Sequence, residues 1–197
     1  MSADDTTLGV YAEKAADYAA MTTEAAQDPA LIAFIGGLPK GARVLDLGCG
    51  PGGAAGAMAK AGLVVDATDA VPEMVAMADA LDGVTAWQAS FEEIAGEDLY
   101  DGIWANFSLL HAPKSEMPRH LAALRRALKP GGLFHIGMKT GTGEKRDPLG
   151  RHYAYYTEDE LCGLLKDVDM TPFSSATGSE KGLDGVEAPW VVIAAHG

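Results

Sequence analysis

The sequence has little positive charge for its length. Its 197 residues include 15 Lys and Arg against 28 Asp and Glu, which gives a formal net charge of −13. Proteins that bind nucleic acid normally meet the phosphate backbone with patches of Lys and Arg. We therefore expect no nucleic-acid partner for this chain.

Cysteines are also scarce, and no apolar run reaches the length that spans a membrane. The two cysteines, Cys49 and Cys162, form neither a disulfide framework nor a spaced cluster for zinc. Residues 1–9 lack the basic and then apolar pattern of a signal peptide. These absences predict a cytoplasmic protein with no bound metal and no contact with a membrane.

A glycine-rich turn is the most informative feature that the sequence does contain. The apolar run 44–47 suits a buried parallel strand, and residues 48–53 read Gly-Cys-Gly-Pro-Gly-Gly. Glycines let the backbone turn sharply and approach a ligand, while a predicted helix over 54–61 directs its N–H groups and positive dipole end toward it. Three of these glycines also fit the GxGxxG pattern of dinucleotide-binding proteins, so the turn alone leaves two cofactor classes open.

Two acidic residues help to separate these classes. Asp46 precedes the first glycine by two residues, where a carboxylate attracts a cationic group and repels a pyrophosphate. Asp69 follows the predicted second strand, about 20 residues beyond the glycines, where a carboxylate accepts hydrogen bonds from ribose hydroxyls. Dinucleotides and S-adenosylmethionine both have such hydroxyls, so Asp46 is the residue that favours S-adenosylmethionine.

Four motifs resemble those of class I S-adenosylmethionine-dependent methyltransferases. They are residues 44–53, residues 65–78 with Asp69, residues 101–106 and residues 128–133. A single glycine motif is weak evidence, but these four occur in the family's order over roughly 100 residues. The segment after residue 139 also resembles small bacterial methyltransferases loosely related to the tellurite-resistance type.

The resemblance implies an α/β fold: a Rossmann-like, doubly wound, mostly parallel seven-stranded sheet with helices on both faces. Alternating helical and strand patterns independently favour a parallel sheet covered on both faces. One domain is expected over 1–197, with leading helices in 1–40, a cofactor-binding core in 41–139 and an acceptor-side part in 140–197. Strands are predicted at 43–47, 63–68, 84–89, 101–107, 133–139 and 189–195, and helices at 10–21, 29–36, 54–61, after Pro72, after Ser115 and from Thr157 to about Val168.

The resemblance also implies which residues hold the cofactor. Asp46 is expected to hold the methionine ammonium, directly or through water, and Asp69 the two ribose hydroxyls. Ser90 stands where many members carry an acid that accepts from the adenine amino group. Several of the remaining candidates, above all the tyrosines and the methionine at helical spacing, fit core packing equally well. The other expected cofactor contacts are Tyr11, Tyr18, Gly48, Cys49, Gly50, Gly52, Ala70, Met74, Phe91 and Asn106.

The acceptor side is less explicit in the sequence. A general base is needed only if the acceptor is protonated at the working pH, and His111, beyond the fourth predicted strand, is the candidate. The alternative is a histidine that orders its own loop. The segment 139–156 concentrates cations and phenols in an acidic protein, which fits an anionic acceptor group or, alternatively, a solvated loop. The expected acceptor-binding residues are His111, Lys139, Arg151, Tyr153 and Tyr155.

These expectations combine into one predicted activity. The chain is expected to transfer a methyl group from S-adenosylmethionine to a small acceptor, either a metabolite or a xenobiotic, as a monomer or homodimer. Two alternatives stay open: a regulator that binds S-adenosylmethionine without transferring from it, and a nicotinamide-dependent reductase.

Overall fold

The computed structural model describes residues 4–21 and 25–197. Nine strands and seven helices are present in this part of the chain. The strands are β1 (Arg43–Leu47), β2 (Val64–Asp69), β3 (Val84–Gln88), β4 (Tyr100–Asn106), β5 (Leu128–Lys139), β6 (Glu144–Arg146), β7 (His152–Ala154), β8 (Thr171–Lys181) and β9 (Glu187–His196). The helices are α1 (Asp5–Glu13), α2 (Ala15–Met21), α3 (Pro29–Gly36), α4 (Gly53–Lys60), α5 (Pro72–Asp79), α6 (Met117–Ala127) and α7 (Glu158–Lys166).

Seven strands form one sheet in the order β3-β2-β1-β4-β5-β9-β8. The first five are parallel to their neighbours, whereas β9 runs antiparallel to both β5 and β8. The predicted seven-stranded, mostly parallel sheet is confirmed. The strand order reverses between β1 and β4, and ligands of open α/β sheets bind beside such a switch point at the carboxyl ends of the strands.

Each face of the sheet is covered by helices, as the near-continuous apolar strands require. Alternate residues of β1 illustrate this, because Leu45 and Leu47 belong to the core under α6 and α7, while Val44 belongs to the core under α3 and α4. A third, smaller apolar cluster joins Ala15 of α2 to Val71 and Met74 at α5. The helices at the start of the chain therefore pack over the carboxyl edge of the sheet.

Three local expectations differ from the structure. The predicted helix over 10–21 is two helices, separated at Lys14, whose backbone leaves the helical region. Ser115 does not cap the following helix, because α6 begins at Met117 with Glu116 at the capping position. Strand β8 had no predicted counterpart, since its polar side chains at the sheet edge are mostly exposed and carry little apolar alternation.

No helix in residues 4–21 and 25–197 is both long and apolar enough to cross a membrane.

Candidate active site

The turn after β1 brings backbone close to its neighbours. Gly48 and Gly50 have φ values of +71° and +53°, a region that side chains other than glycine rarely adopt. A Cβ on Gly48 would lie 2.3 Å from the Cβ of Ser108, and one on Gly52 would lie 2.9 Å from Ala78 of α5. Gly48 thus lets the end of β1 approach the end of β4, and Gly52 lets α4 approach α5.

Asp46 lies below this turn on β1 and is 3% exposed. Its Oδ2 has no hydrogen-bond partner among the residues that the structure describes. Burial raises the pKa of Asp46 to about 7, against the lowering effect of a hydrogen bond from the Ala55 backbone. A buried carboxylate oxygen without a partner is costly, so a water or a cationic group brought to the turn would stabilise it.

Asp69 ends β2 and holds the turn from the other side. Its Oδ2 accepts from the Gly50 N–H and its Oδ1 from the Val71 N–H, each at 2.9 Å. Each carboxylate oxygen can accept more than one hydrogen bond, so both can still accept from a ligand. Burial raises the pKa of Asp69, and the two backbone N–H groups oppose that shift.

A cleft with about 630 Å³ of empty space, including its mouth, opens between this turn and the first two helices. Of the expected cofactor residues, Ser90 does not line it. The Ser90 hydroxyl instead donates to Glu93 Oε2 at 2.8 Å in a capping box. Cys49, Gly52, Asp46 and Asn106 also lie outside its lining. The expected residues that line it are Tyr11, Tyr18, Gly48, Gly50, Asp69, Ala70, Met74 and Phe91, together with His111. We refer to it as the turn cleft.

His111 belongs to a chain of buried hydrogen bonds. Its Nδ1 lies 2.7 Å from the His152 carbonyl oxygen and its Nε2 lies 2.9 Å from the Tyr11 hydroxyl. Because a carbonyl only accepts, Nδ1 carries the proton and Nε2 accepts from Tyr11. Burial lowers the pKa of His111 to about 3, so the imidazole is neutral and its basic nitrogen is already engaged.

Arg151 completes this chain and is 1% exposed. Its Nη1 donates to the Tyr11 hydroxyl at 2.9 Å, while its Nε and Nη2 donate to Asp147 Oδ2 at 2.8 and 2.6 Å. The guanidinium was expected to hold an anionic acceptor, but Asp147 of the same loop already neutralises it. Arg151 therefore connects α1 to the segment between β5 and α7.

A second cleft, with about 1,170 Å³ of space including open solvent, lies on the other side of Tyr11 and Phe107. We refer to it as the polar cleft. Lys139 at the end of β5 reaches it, with its Nζ 4.1 Å from the ring centre of Tyr153. Asn106 lines this cleft and not the turn cleft, whereas Tyr155 lines neither. The expected residues that line it are Tyr11, Tyr18, Asn106, Lys139, Arg151 and Tyr153.

Two residues at the junction of the clefts carry no local signal in the sequence. Phe107 lines both clefts and has φ +54°, an unusual conformation for a bulky side chain and one that is costly unless the surroundings fix it. Trp190 of β9 lines the polar cleft and packs edge-on against Phe107, with ring centres 6.4 Å apart. Both depend on backbone geometry or distant strand pairing, which local patterns do not report.

Among the described residues, no group of three or more His, Cys, Asp or Glu side chains is placed to hold a metal ion.

Comparison with known proteins identifies a domain within the chain. Residues 44–132 match the family model described as "Methyltransferase domain". This part of the chain, a little under half of it, is a methyltransferase domain. The matched residues run from β1 to the turn within β5, so they include Asp46, Asp69 and His111.

Two curated relatives are each similar to about half of this chain. The ubiquinone biosynthesis O-methyltransferase of Xanthomonas oryzae pv. oryzae is 35% identical over 103 residues, which cover 49% of this chain and 42% of that protein. The ribosomal RNA small subunit methyltransferase A of Novosphingobium aromaticivorans is 37% identical over 101 residues, which cover 49% of this chain and 36% of that protein. The chain thus spans less than half the length of either relative.

A solved structure resembles nearly the whole chain. The 1,6-didemethyltoxoflavin-N1-methyltransferase of Burkholderia thailandensis, crystallised with 1,6-didemethyltoxoflavin and S-adenosylhomocysteine, superposes with a TM-score of 0.79 at 27% identity. The similarity covers 97% of this chain and 87% of that one. The order of strands and the position of the turn are therefore those of a class I methyltransferase.

The turn cleft has the chemistry that S-adenosylmethionine requires. Asp69 offers two carboxylate oxygens to ribose hydroxyls, and Met74, Phe91 and Ala70 give an apolar surface for a purine. Buried Asp46 Oδ2 and Ser108 Oγ beside the turn have no partner among the described residues, as expected next to a polar ligand group. These residues fit the cofactor.

Proposed function

We propose that this chain transfers a methyl group from S-adenosylmethionine to a small-molecule acceptor, either a metabolite or a xenobiotic. The observation that carries the proposal is the meeting of the two clefts at Tyr11, Tyr18 and Phe107. One cleft has the glycine turn and the ribose-binding acid, and the other has polar and aromatic side chains. A donor and an acceptor held in these clefts would be adjacent, and alignment of two reactants supplies roughly 7–11 kcal/mol of a barrier.

The residues around the glycine turn have distinct roles in this proposal. S-adenosylmethionine, when bound, supplies a methyl group activated by a sulfonium. Asp69 and Gly50 hold the nucleoside, and Asp46 attracts the ammonium from below the turn. Tyr11 and Tyr18 cover the turn cleft, which excludes water from the reacting groups.

His111 acts as a positioning residue in this proposal. Its neutral imidazole accepts from the Tyr11 hydroxyl, and its Nδ1 proton is donated to the His152 carbonyl. A residue held in this way orders the boundary between the clefts and has no free basic nitrogen to take a proton from an acceptor.

We also infer the setting in which the enzyme works. A net charge of −13 argues against a nucleic-acid substrate, although one relative is a ribosomal RNA methyltransferase. Cys49 and Cys162 are free thiols, as is usual in a reducing cytoplasm. We propose a cytoplasmic enzyme that works as a monomer or a homodimer.

Calorimetric titration tests the cofactor part of the proposal. S-adenosylmethionine and S-adenosylhomocysteine are each titrated into the protein, with NADH as the competing cofactor class. Asp69→Asn is expected to weaken both by about tenfold or more, because charge-assisted hydrogen bonds to the ribose are lost. Glu73→Gln, an exposed acid in the first turn of α5, is the matched control and should bind as the unmodified chain does.

The outcomes separate the candidate functions. Binding of both nucleosides with transfer of a labelled methyl group to members of a small-molecule panel supports the enzyme. Binding without transfer to any panel member favours a regulator. Binding of NADH alone contradicts the proposal and makes the turn a dinucleotide site.

A further inference from the structure

The polar cleft is rich in aromatic rings and in hydrogen-bond donors. Such walls suit planar ligands, because offset and edge-on ring packing adds to the burial of apolar surface. The donors come from Asn106 and Lys139, the last residues of β4 and β5, and from Trp190 of β9, which pairs with Lys139. The aromatic residues that line the cleft are Tyr11, Tyr18, Phe107, Tyr153 and Trp190.

Strand register places these three donors on one face of the sheet. Asn106 of β4 is level with Gly137 of β5, and Lys139 of β5 is level with Trp190 of β9. Residues that are level across paired strands share a face, and so do residues two apart along a strand. A Cβ on Gly137 would lie 2.2 Å from Asn106 Oδ1, so this glycine leaves room for the amide.

The amide nitrogen of Asn106 has no hydrogen-bond partner among the described residues. Its Oδ1 lies 3.0 Å from His135 Nε2, and since an amide oxygen only accepts, the histidine donates this bond. With no partner for the amide nitrogen in this part of the chain, both of its N–H groups can donate to a ligand. The buried Nε1 of Trp190 likewise has no hydrogen-bond partner in residues 4–21 and 25–197.

Lys139 supplies the charge of this donor set. It rests on the Tyr153 ring and, within the described part of the chain, forms no ion pair. Burial lowers the pKa of Lys139, while Asp184 and Glu180 of the β8–β9 hairpin oppose that shift and favour the ammonium.

Two acids, Glu180 and Asp28, also line the cleft, but neither forms an ion pair with Lys139 in the described part of the chain. Arg151 is bound to Asp147, so Lys139 is the cation of this donor set that is best placed to attract an anion.

We propose that the acceptor is a planar, acidic aromatic or heteroaromatic molecule that binds in the polar cleft as its anion, with the charge on Lys139 and an electron-rich edge on Asn106. This inference rests on the proposed methyltransferase function. The acceptor loses its proton to solvent when it binds beside the ammonium. Its lone pair then forms the bond to the methyl carbon, and the electron pair of the breaking C–S bond stays on sulfur. This sequence needs no base from the protein, in agreement with the engaged nitrogens of His111.

The test uses two probes whose ionisation is visible by absorbance, 4-nitrophenol and 7-hydroxycoumarin. Each is titrated with the full chain saturated with S-adenosylhomocysteine, at a pH below the pKa of the free probe. At least one probe should shift to its phenolate band on binding. Lys139→Met should weaken phenolate binding by about tenfold or more, because a charge-assisted contact is lost, and Lys139→Arg should restore most of it.

Two controls make the result specific. Lys145→Met removes another lysine that rests on a tyrosine ring, 4.8 Å from the centre of Tyr155 but outside the cleft, and should leave the shift unchanged. Uncharged 4-nitroanisole should bind the unmodified chain and Lys139→Met equally. If S-adenosylhomocysteine binds but neither probe ionises, or if Lys139→Met retains the shift, the acceptor class is wrong. If S-adenosylhomocysteine does not bind, the proposed function fails and this inference falls with it.

Discussion

Replacing Arg151 by methionine tests how strongly the buried polar chain holds the first helix to the rest of the protein. The side chains of Arg151 and Asp147 are 1% and 5% exposed, and two guanidinium nitrogens lie within 2.8 Å of Asp147 Oδ2. Methionine keeps much of the side-chain volume but leaves the Asp147 carboxylate buried without its counter-charge. Breaking a buried pair in this way costs about 3–5 kcal/mol of unfolding free energy.

Arg146→Met is the matched control, because it lies in the same loop region and also pairs with an acid. Its side chain is 50% exposed and its partner Asp4 is 36% exposed, so solvent screens the pair. Exposed ion pairs contribute about 0–1 kcal/mol. The double variant Asp147→Leu with Arg151→Met removes both charges and should recover part of the loss seen in Arg151→Met.

Urea unfolding followed by circular dichroism gives the free energy for each variant. We expect the free energy of unfolding to fall by at least about 2 kcal/mol more in Arg151→Met than in Arg146→Met. This difference is roughly the gap between the costs of breaking a buried and an exposed ion pair. Equal losses in the two variants would refute the assignment of Arg151 as a buried structural cation, and would return it to the candidates for acceptor binding.

Three further predictions concern the glycine turn and the cleft beside it. Gly48→Ala should unfold the protein or lower its free energy of unfolding by about 3 kcal/mol or more, because a Cβ there would lie 2.3 Å from Ser108. Gly41→Ala, at φ +78° with open space around it, should lower that free energy by only about 1 kcal/mol in the same urea assay. Asp46→Asn should become more stable relative to the unmodified chain as the pH rises from about 4 toward 7. Because the pKa of Asp46 is raised in the folded protein, its protonated carboxyl stabilises the fold below the unfolded pKa, and this stabilisation is lost as the carboxyl ionises. A difference in melting temperature that does not change with pH would contradict this. His111, whose pKa is lowered to about 3, should stabilise the fold above pH 6.5 and lose that stabilising effect as the pH falls. Its ¹⁵N chemical shifts at pH 5 should be those of a neutral ring protonated at Nδ1. An imidazolium signal at that pH would contradict the burial argument.

Much of the fold was predictable because its signals are local. The apolar runs of β1, β2 and β4 predict buried strands, and the glycine turn with Asp69 predicts a cofactor site at their carboxyl ends. Strand β8 was not predicted, because an exposed edge strand rich in Ser and Thr resembles a loop in sequence. Its position depends on pairing with β9, which tertiary contacts decide.

In the candidate site, too, some roles follow from local sequence and others depend on tertiary contacts. Gly48, Gly50 and Asp69 act through backbone geometry that follows directly from the turn. Arg151 was interpreted as an acceptor ligand because a single sequence does not show that Asp147, four residues earlier, bonds to the same guanidinium in a folded loop. Trp190 reaches the polar cleft only through the register of β9 on β5, so no local pattern marks it.

A crystal structure of the chain with S-adenosylhomocysteine tests the central claim most directly. We predict that the nucleoside occupies the turn cleft, with its ribose hydroxyls on Asp69 and its purine against Met74 and Phe91, and that the polar cleft beside Lys139 stays open for an acceptor. Nucleoside density in the polar cleft, or a turn cleft that remains empty at saturating ligand, would contradict the proposed roles of the two clefts.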